Sequence, residues 1–160
     1  MRRLRIALAL VSVLLLGLTA IPASATPAGP PGAATSSVIA DGIFVNNINT
    51  NVNPEQIKLL TKGSIEVFQV SNTALPGWTS GWHKHSGPIL VNVTSGTLTF
   101  YETDCHPVTV TAGHGRFEST GHPILARNEG TATAAWITTQ IIPAGASRRV
   151  DISPGFCGVQ

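Results

Sequence analysis

Charge is scarce in this chain: Lys, Arg, Asp and Glu together make up 11% of its 160 residues. Beyond the N-terminus the basic residues Lys58, Lys62, Lys84, Arg116, Arg127, Arg148 and Arg149 are scattered, and only the last two are adjacent. No stripe exists that could track a phosphate backbone, so nucleic acid is not expected as a partner. A Ser-His-Asp pattern, a phosphate-binding glycine loop and paired catalytic carboxylates are all missing, which leaves hydrolysis and phosphoryl transfer without support. Long helical periodicity is missing too, as is any internal repeat, and the length leaves room for one core. Cysteine occurs only twice.

The N-terminus supplies what the rest lacks. Met1-Arg2-Arg3-Leu4-Arg5 is a basic head, Ile6 to Ile21 an apolar run, and Ala23-Ser24-Ala25 a small-residue cleavage site. This reads as a secretory signal peptide over residues 1–25, cut after Ala25. A spanning helix needs about 20 apolar residues, and Ser12, Gly17 and Thr19 interrupt this run. A secreted, extracellular protein with no stable membrane anchor after cleavage is therefore expected. The Arg2-Arg3 pair lacks the fuller twin-arginine motif, so the general secretory route is the expected one. Without Arg2, Arg3 and Arg5, seven basic residues face eight acidic ones, and the basicity of the whole chain is an export feature. Residues 26–37, rich in Pro, Gly and Ala, hold too little apolar side chain to offset the entropy of ordering them and read as a flexible leader. The folded domain is expected over residues 38–160.

Within that domain, short runs rich in Val, Ile, Thr and aromatics are broken by Gly, Pro and Asn, the pattern of an all-β sandwich or barrel. Strands are expected at Ile43–Val45, Ile57–Leu60, Ser64–Ser71, His83–His85, Ile89–Thr94, Thr97–Glu102, Val108–Thr111, Arg116–Glu118, Pro123–Arg127, Thr133–Ile142 and Arg148–Ile152. Pro54-Glu55-Gln56 suits a single helical turn. The asparagines at 46, 47, 49, 51 and 53 suit a loop, since asparagine satisfies turns readily. Cys105 and Cys157, both retained after cleavage and placed in an oxidising compartment, are expected to form a disulfide. On the chain-entropy model such a bridge contributes roughly 4 kcal/mol.

Chemistry concentrates between Gly77 and Gly96. His83 and His85 alternate on one side of an extended segment, and two imidazoles on one face are half of a metal site. The apolar run Ile89, Leu90, Val91, Val93 follows, and Thr94-Ser95-Gly96 separates it from Thr97–Tyr101 in the manner of a tight hairpin. Gly77, five residues, His83-Lys84-His85 and then Gly96 resemble the first motif of the cupin superfamily. Gly113, Gly121 and Asn128 resemble the spacing of its second. The resemblance spans roughly Ile65 to Pro143 and implies a single antiparallel β-barrel of the jelly-roll, double-stranded β-helix type.

The family pattern also places a glutamate ligand shortly after the second histidine, and another histidine four residues before the closing Asn. Here Ile89 or Leu90 and Ile124 occupy those places. A cavity lined by Trp82, Ile89, Ile124 and Glu118 is expected, with the isoleucines making it more apolar. His83, His85 and His122 are the candidate metal ligands for Zn, Mn, Fe, Ni or Cu, bound weakly, and Glu118 is a substitute ligand or base if it faces inward. His122 is equally readable as a rim residue bonded to water. His114 reads as turn and His106 as loop. Trp78 and Trp82 either cover the core or stack on a ligand, and Trp136 belongs to a core strand. The Asn92-Val93-Thr94 sequon has no assigned role.

Three functions fit these residues. One is a secreted binding barrel for a small molecule with a weakened metal site. Another is a metal enzyme of dioxygenase, isomerase or lyase type using His83, His85 and His122. The third is a structural or partner-binding extracellular domain. A homodimer is compatible with all three.

Overall fold

The structure, a computed structural model, describes residues 32–52, 56–153 and 155–159. The expected signal peptide, the first part of the expected leader and most of the Pro54–Gln56 turn lie outside the described residues. Twelve strands run through them: β1 (Ala34–Phe44), β2 (Asn49–Val52), β3 (Ile57–Leu60), β4 (Ile65–Ala74), β5 (His83–Lys84), β6 (Ile89–Ser95), β7 (Thr97–Tyr101), β8 (Val108–Thr111), β9 (Gly115–Glu118), β10 (Leu125–Arg127), β11 (Ala134–Pro143) and β12 (Val150–Asp151). A five-stranded sheet has the order β1-β4-β11-β6-β9, and a three-stranded sheet the order β10-β7-β8. All the pairings are antiparallel.

Alternation decides which side chains enter the core. In β6, Ile89, Val91 and Val93 are buried while Leu90, Asn92 and Thr94 face out, the period of two that a one-sided sheet requires. Those three valine and isoleucine side chains meet Ala74 and Trp136 of the larger sheet and Leu98, Phe100, Val110 and Ala126 of the smaller one in a single apolar cluster. The two sheets therefore share one core.

Three local expectations change. The turn at Gly96 is not a hairpin: β6 pairs with β11 and β9, whereas β7 pairs with β8 and β10. Gly96 instead carries the chain from one sheet to the other at φ 67°, and a Cβ there would stand 2.7 Å from the Thr133 carbonyl oxygen. Only glycine suits both demands.

The Asn-rich stretch is not wholly loop. Asn49 to Val52 form β2, in register with β3 from Asn49↔Leu60 to Val52↔Ile57. Backbone pairing needs no apolar side chain, and the hairpin is closed by Thr61 N–H donating to Ile48 O at 2.8 Å and Ile48 N–H donating to Thr61 Oγ1 at 2.8 Å. Finally, Ala34 to Ser37, expected at the end of the leader, belong to β1 and pair with Ala74 to Ser71 of β4. There polar pairs replace apolar burial: Ser36 Oγ donates to Asn72 Oδ1 at 2.7 Å, and the Thr35 and Thr73 hydroxyls lie 2.7 Å apart.

Candidate metal centre

The segment carrying the histidine pair is held from two sides by backbone bonds. On one side His83 exchanges both main-chain bonds with Ile124, His83 N–H to Ile124 O at 3.0 Å and Ile124 N–H to His83 O at 2.8 Å. On the other, β5 pairs with β12 through Val150↔Lys84 and Asp151↔His83. Gly121 N–H donates to His85 O at 2.9 Å. A short strand pinned in this way presents its side chains in a fixed direction.

Both imidazoles are oriented by carbonyl oxygens. His83 Nδ1 is 2.9 Å from Gly81 O and His85 Nδ1 is 2.6 Å from Arg148 O. A carbonyl only accepts, so each Nδ1 carries the proton and each Nε2 keeps its lone pair. The rings lie 4.8 Å apart, nearly perpendicular at 89°. Glu118, at the end of β9, completes the group: the donor atoms of His83, His85 and Glu118 all lie within 4.8 Å of one another. His85 Nε2 stands 3.5 Å from Glu118 Oε2, with side chains only 10% and 8% exposed.

Burial shapes the charge of this cluster. Desolvation takes His83 down from 6.5 to about 4, against the raising effect of its bond to Gly81. It lowers His85 likewise, opposed by the bond to Arg148. Desolvation also pushes the Glu118 carboxyl up from 4.5 to about 7, opposed by the Arg116 guanidinium. Two neutral imidazoles and a carboxylate aimed at one point form a donor set that a divalent cation completes. On a tetrahedral ion with bonds of about 2.1 Å, two donors stand about 3.4 Å apart. The His85–Glu118 separation is close to that. Two imidazoles and a carboxylate, with donor atoms within 4.8 Å of one another, are a donor set that suits a transition metal.

Beside this cluster lies a cavity of about 220 Å³ lined by His83, His85 and Glu118 together with Trp78, Phe100, Trp136, Thr138, Gln140, Arg148 and Arg149, among others. Trp78 and Trp136 pack at 5.0 Å and give it an aromatic wall. The Gln140 Oε1 atom is buried and has no hydrogen-bond partner among the described residues. Arg148 is committed to Glu66 and, at 2.7 Å, to Asp41, and Arg149 to Asp151 and the Ser80 carbonyl at 2.6 Å each. A second cavity of about 300 Å³ is larger, but Lys62 is its only ionisable lining residue, and its walls include Leu59, Ile65, Pro88 and Ile141. It lacks the donors that the first one has.

The sequence-derived candidates divide. His83, His85 and Glu118 come together. His122 does not: it is exposed, because the turn through Thr120 and Gly121, with Gly121 at φ 73°, interposes before β10 begins at Leu125. The alternation assumed between His122 and Ile124 does not extend through that turn. Ile89 and Ile124 do not line the cavity; both are buried in the apolar cluster. Trp82 also points elsewhere, its indole N–H donating to Val159 O at 2.8 Å and its ring meeting Phe156 at 5.1 Å. His106 and His114 are exposed in loop and turn.

Gln140 was missed, although its two-residue spacing from Trp136 and Thr138 on β11 signals a shared face. The orienting Arg148 carbonyl left no signal, being backbone. The carboxylate has a simple origin in the register. Glu118 lies directly across β6/β9 from Ile89, one of the two places, with Leu90, where the resembled motif would carry its glutamate.

No family model matches the chain, and no curated protein matches it in sequence. Solved structures do match its fold. A conserved protein with a double-stranded β-helix domain from Klebsiella pneumoniae subsp. pneumoniae MGH 78578 is similar with a TM-score of 0.51 and 18% identity, over 77% of this chain and 87% of that one. A cupin superfamily protein from Desulfitobacterium hafniense DCB-2 is similar with a TM-score of 0.50 and 8% identity, over 72% and 83% respectively. With two antiparallel sheets around one core and these neighbours in shape, the chain has the double-stranded β-helix fold of the cupin superfamily.

Proposed function

We propose that this is an exported protein that holds a divalent transition metal through His83, His85 and Glu118 and binds a small molecule in the adjoining cavity. The observation that carries the reading is the orientation of both imidazoles by carbonyl oxygens, which leaves each Nε2 lone pair free, with the donor atoms of His83, His85 and Glu118 all within 4.8 Å of one another beside the cavity. Zn, Mn, Fe, Ni and Cu all suit nitrogen and carboxylate donors. Against the three-histidine and glutamate set of the resembled family, this one has an imidazole fewer, and its affinity is accordingly weaker. When bound, the ion supplies Lewis acidity toward a ligand oxygen or nitrogen.

The chain's own residues do the rest. Gly81 O and Arg148 O hold the ring tautomers, Trp78 and Trp136 offer apolar faces, and the unpaired Gln140 oxygen accepts a hydrogen bond from the ligand. Catalytic turnover is the second reading, favoured by the fact that three protein donors leave coordination positions open. Export is supported by the signal-like N-terminus and by the disulfide.

The test is elemental analysis of the mature chain purified without a histidine tag, followed by calorimetric titration with Zn²⁺. One ion per chain is expected, and His83→Ala should weaken binding on the order of 100-fold. A native chain that neither retains nor takes up any of these metals overturns the reading.

A further inference from the structure

The cluster stands on a segment far away in sequence. His85 is oriented by the Arg148 carbonyl, 63 residues later, and the His83 strand is paired with Val150 and Asp151. Ile152 N–H continues this attachment by donating to Trp82 O at 2.9 Å. Beyond it, Gly155 to Val159 close over Trp82. The indole donates to Val159 O, Phe156 meets the ring edge-on, and a Cβ on Gly155 would stand 2.2 Å from Trp82 Cδ1. Trp82 is the residue immediately before His83, so whatever seats the C-terminal segment on Trp82 also seats the first imidazole.

That seat is closed by a covalent bond. Cys105, in the loop between β7 and β8, is joined to Cys157, at a sequence separation of 52. Both cysteines have positive φ, 64° and 62°, a region that residues with a Cβ rarely adopt. Two residues in such a conformation, one at each end of the bridge, hold it only while surroundings enforce it. The bond thus ties the C-terminal segment down at a point where the backbone would otherwise relax.

We infer that the C-terminal segment is the positioning element of the His83, His85 and Glu118 group, and that the Cys105–Cys157 disulfide, by clamping it over Trp82, sets how tightly that group holds its ion. The inference rests on the metal reading above. Breaking the clamp is a two-electron step: a dithiol gives up two electrons and two protons and becomes a disulfide, the Sγ–Sγ bond breaks, and Cys105 and Cys157 become thiols. The segment then loosens, the Arg148 carbonyl no longer fixes the His85 ring, and affinity falls. Metal occupancy becomes a function of the redox state of the compartment.

Zn²⁺ titration by calorimetry tests this in the disulfide-bonded native chain, in the double variant Cys105→Ser/Cys157→Ser, and in Gly155→Ala. The last leaves the bond intact but displaces the segment from Trp82. Both variants should bind about tenfold more weakly than the native chain or worse, the scale of losing an orienting partner of a metal-bound histidine. Hydrogen exchange at the Ile152 amide should rise in both. Val110→Ala, a core truncation in β8 away from the cavity, should lower the melting temperature and leave affinity unchanged. Unaltered affinity in Gly155→Ala or in the serine variant, or an affinity that simply follows melting temperature through Val110→Ala, overturns the inference while leaving the metal reading intact. Absence of Zn²⁺ binding by the native chain overturns both.

Discussion

The segment Gly77–Gly96 keeps two imidazoles and has Ile89 or Leu90 where the resembled motif carries its carboxylate, while the segment Gly113–Asn128 has Ile124 in place of an imidazole and carries Glu118. Taken along the chain, each segment has lost a ligand. Taken across the sheet, only one has gone, because Glu118 and Ile89 are direct partners in the β6/β9 ladder. Opposed residues of an antiparallel pair project to the same face with Cβ atoms about 5 Å apart. A carboxylate delivered by the neighbouring strand therefore reaches nearly the same point. Ile124 has no such substitute: it faces His83 across a single bridge, and no further imidazole among the described residues enters the cluster. Position in space, and not position in a motif, is what a ligand set is built from.

That equivalence can be broken most directly by moving the carboxylate. Glu118→Ala should cost on the order of 100-fold in Zn²⁺ affinity, and adding Ile89→Glu to it should return most of the loss. Calorimetry on the native chain and the two variants makes the comparison. If the double variant binds no better than Glu118→Ala, the two strands are not interchangeable donors.

The cost of carrying that carboxylate without an ion is the next largest effect. Burial raises Glu118 to about 7 in the folded chain, so the stability associated with its protonated form is fully present below the unfolded value of about 4.5. It is lost as pH rises through 7. In metal-free protein, Glu118→Gln should remove this dependence and be more stable than the native chain at pH 8, by on the order of 2 kcal/mol. Little difference should remain at pH 4. Melting curves across that range check it, and parallel curves for the two proteins would count against a carboxylate raised by burial. Proton uptake by His83, lowered to about 4, acts on both proteins alike and costs stability as pH falls below 6.5.

The smallest expected change sharpens the other half of the comparison. Ile124→His places a third imidazole opposite His83 and should tighten Zn²⁺ binding about tenfold, since it adds a donor of the right type at the missing position. The gain is limited by the loss of a buried isoleucine from the core, which is 3% exposed. Affinity unchanged by this substitution would mean that the bridge directs residue 124 away from the ion.

What the sequence determined by itself was local. Alternating apolar residues in β6 dictate a one-sided strand, His83 and His85 at a spacing of two share a side, and the chain's two cysteines form a disulfide. Each follows from the period of a strand or from the chemistry of a residue type, without reference to a distant partner. Tertiary structure decided the rest. It placed β6 and β7 in different sheets although only Gly96 separates them, turned His122 out to solvent, set Glu118 opposite Ile89, and brought the carbonyl of Arg148 to His85. The physical reason is that alternation specifies which face a side chain takes but not which strand lies beside it. Pairing partners are chosen by how the whole core closes, and the group that can hold a metal is made by those partners.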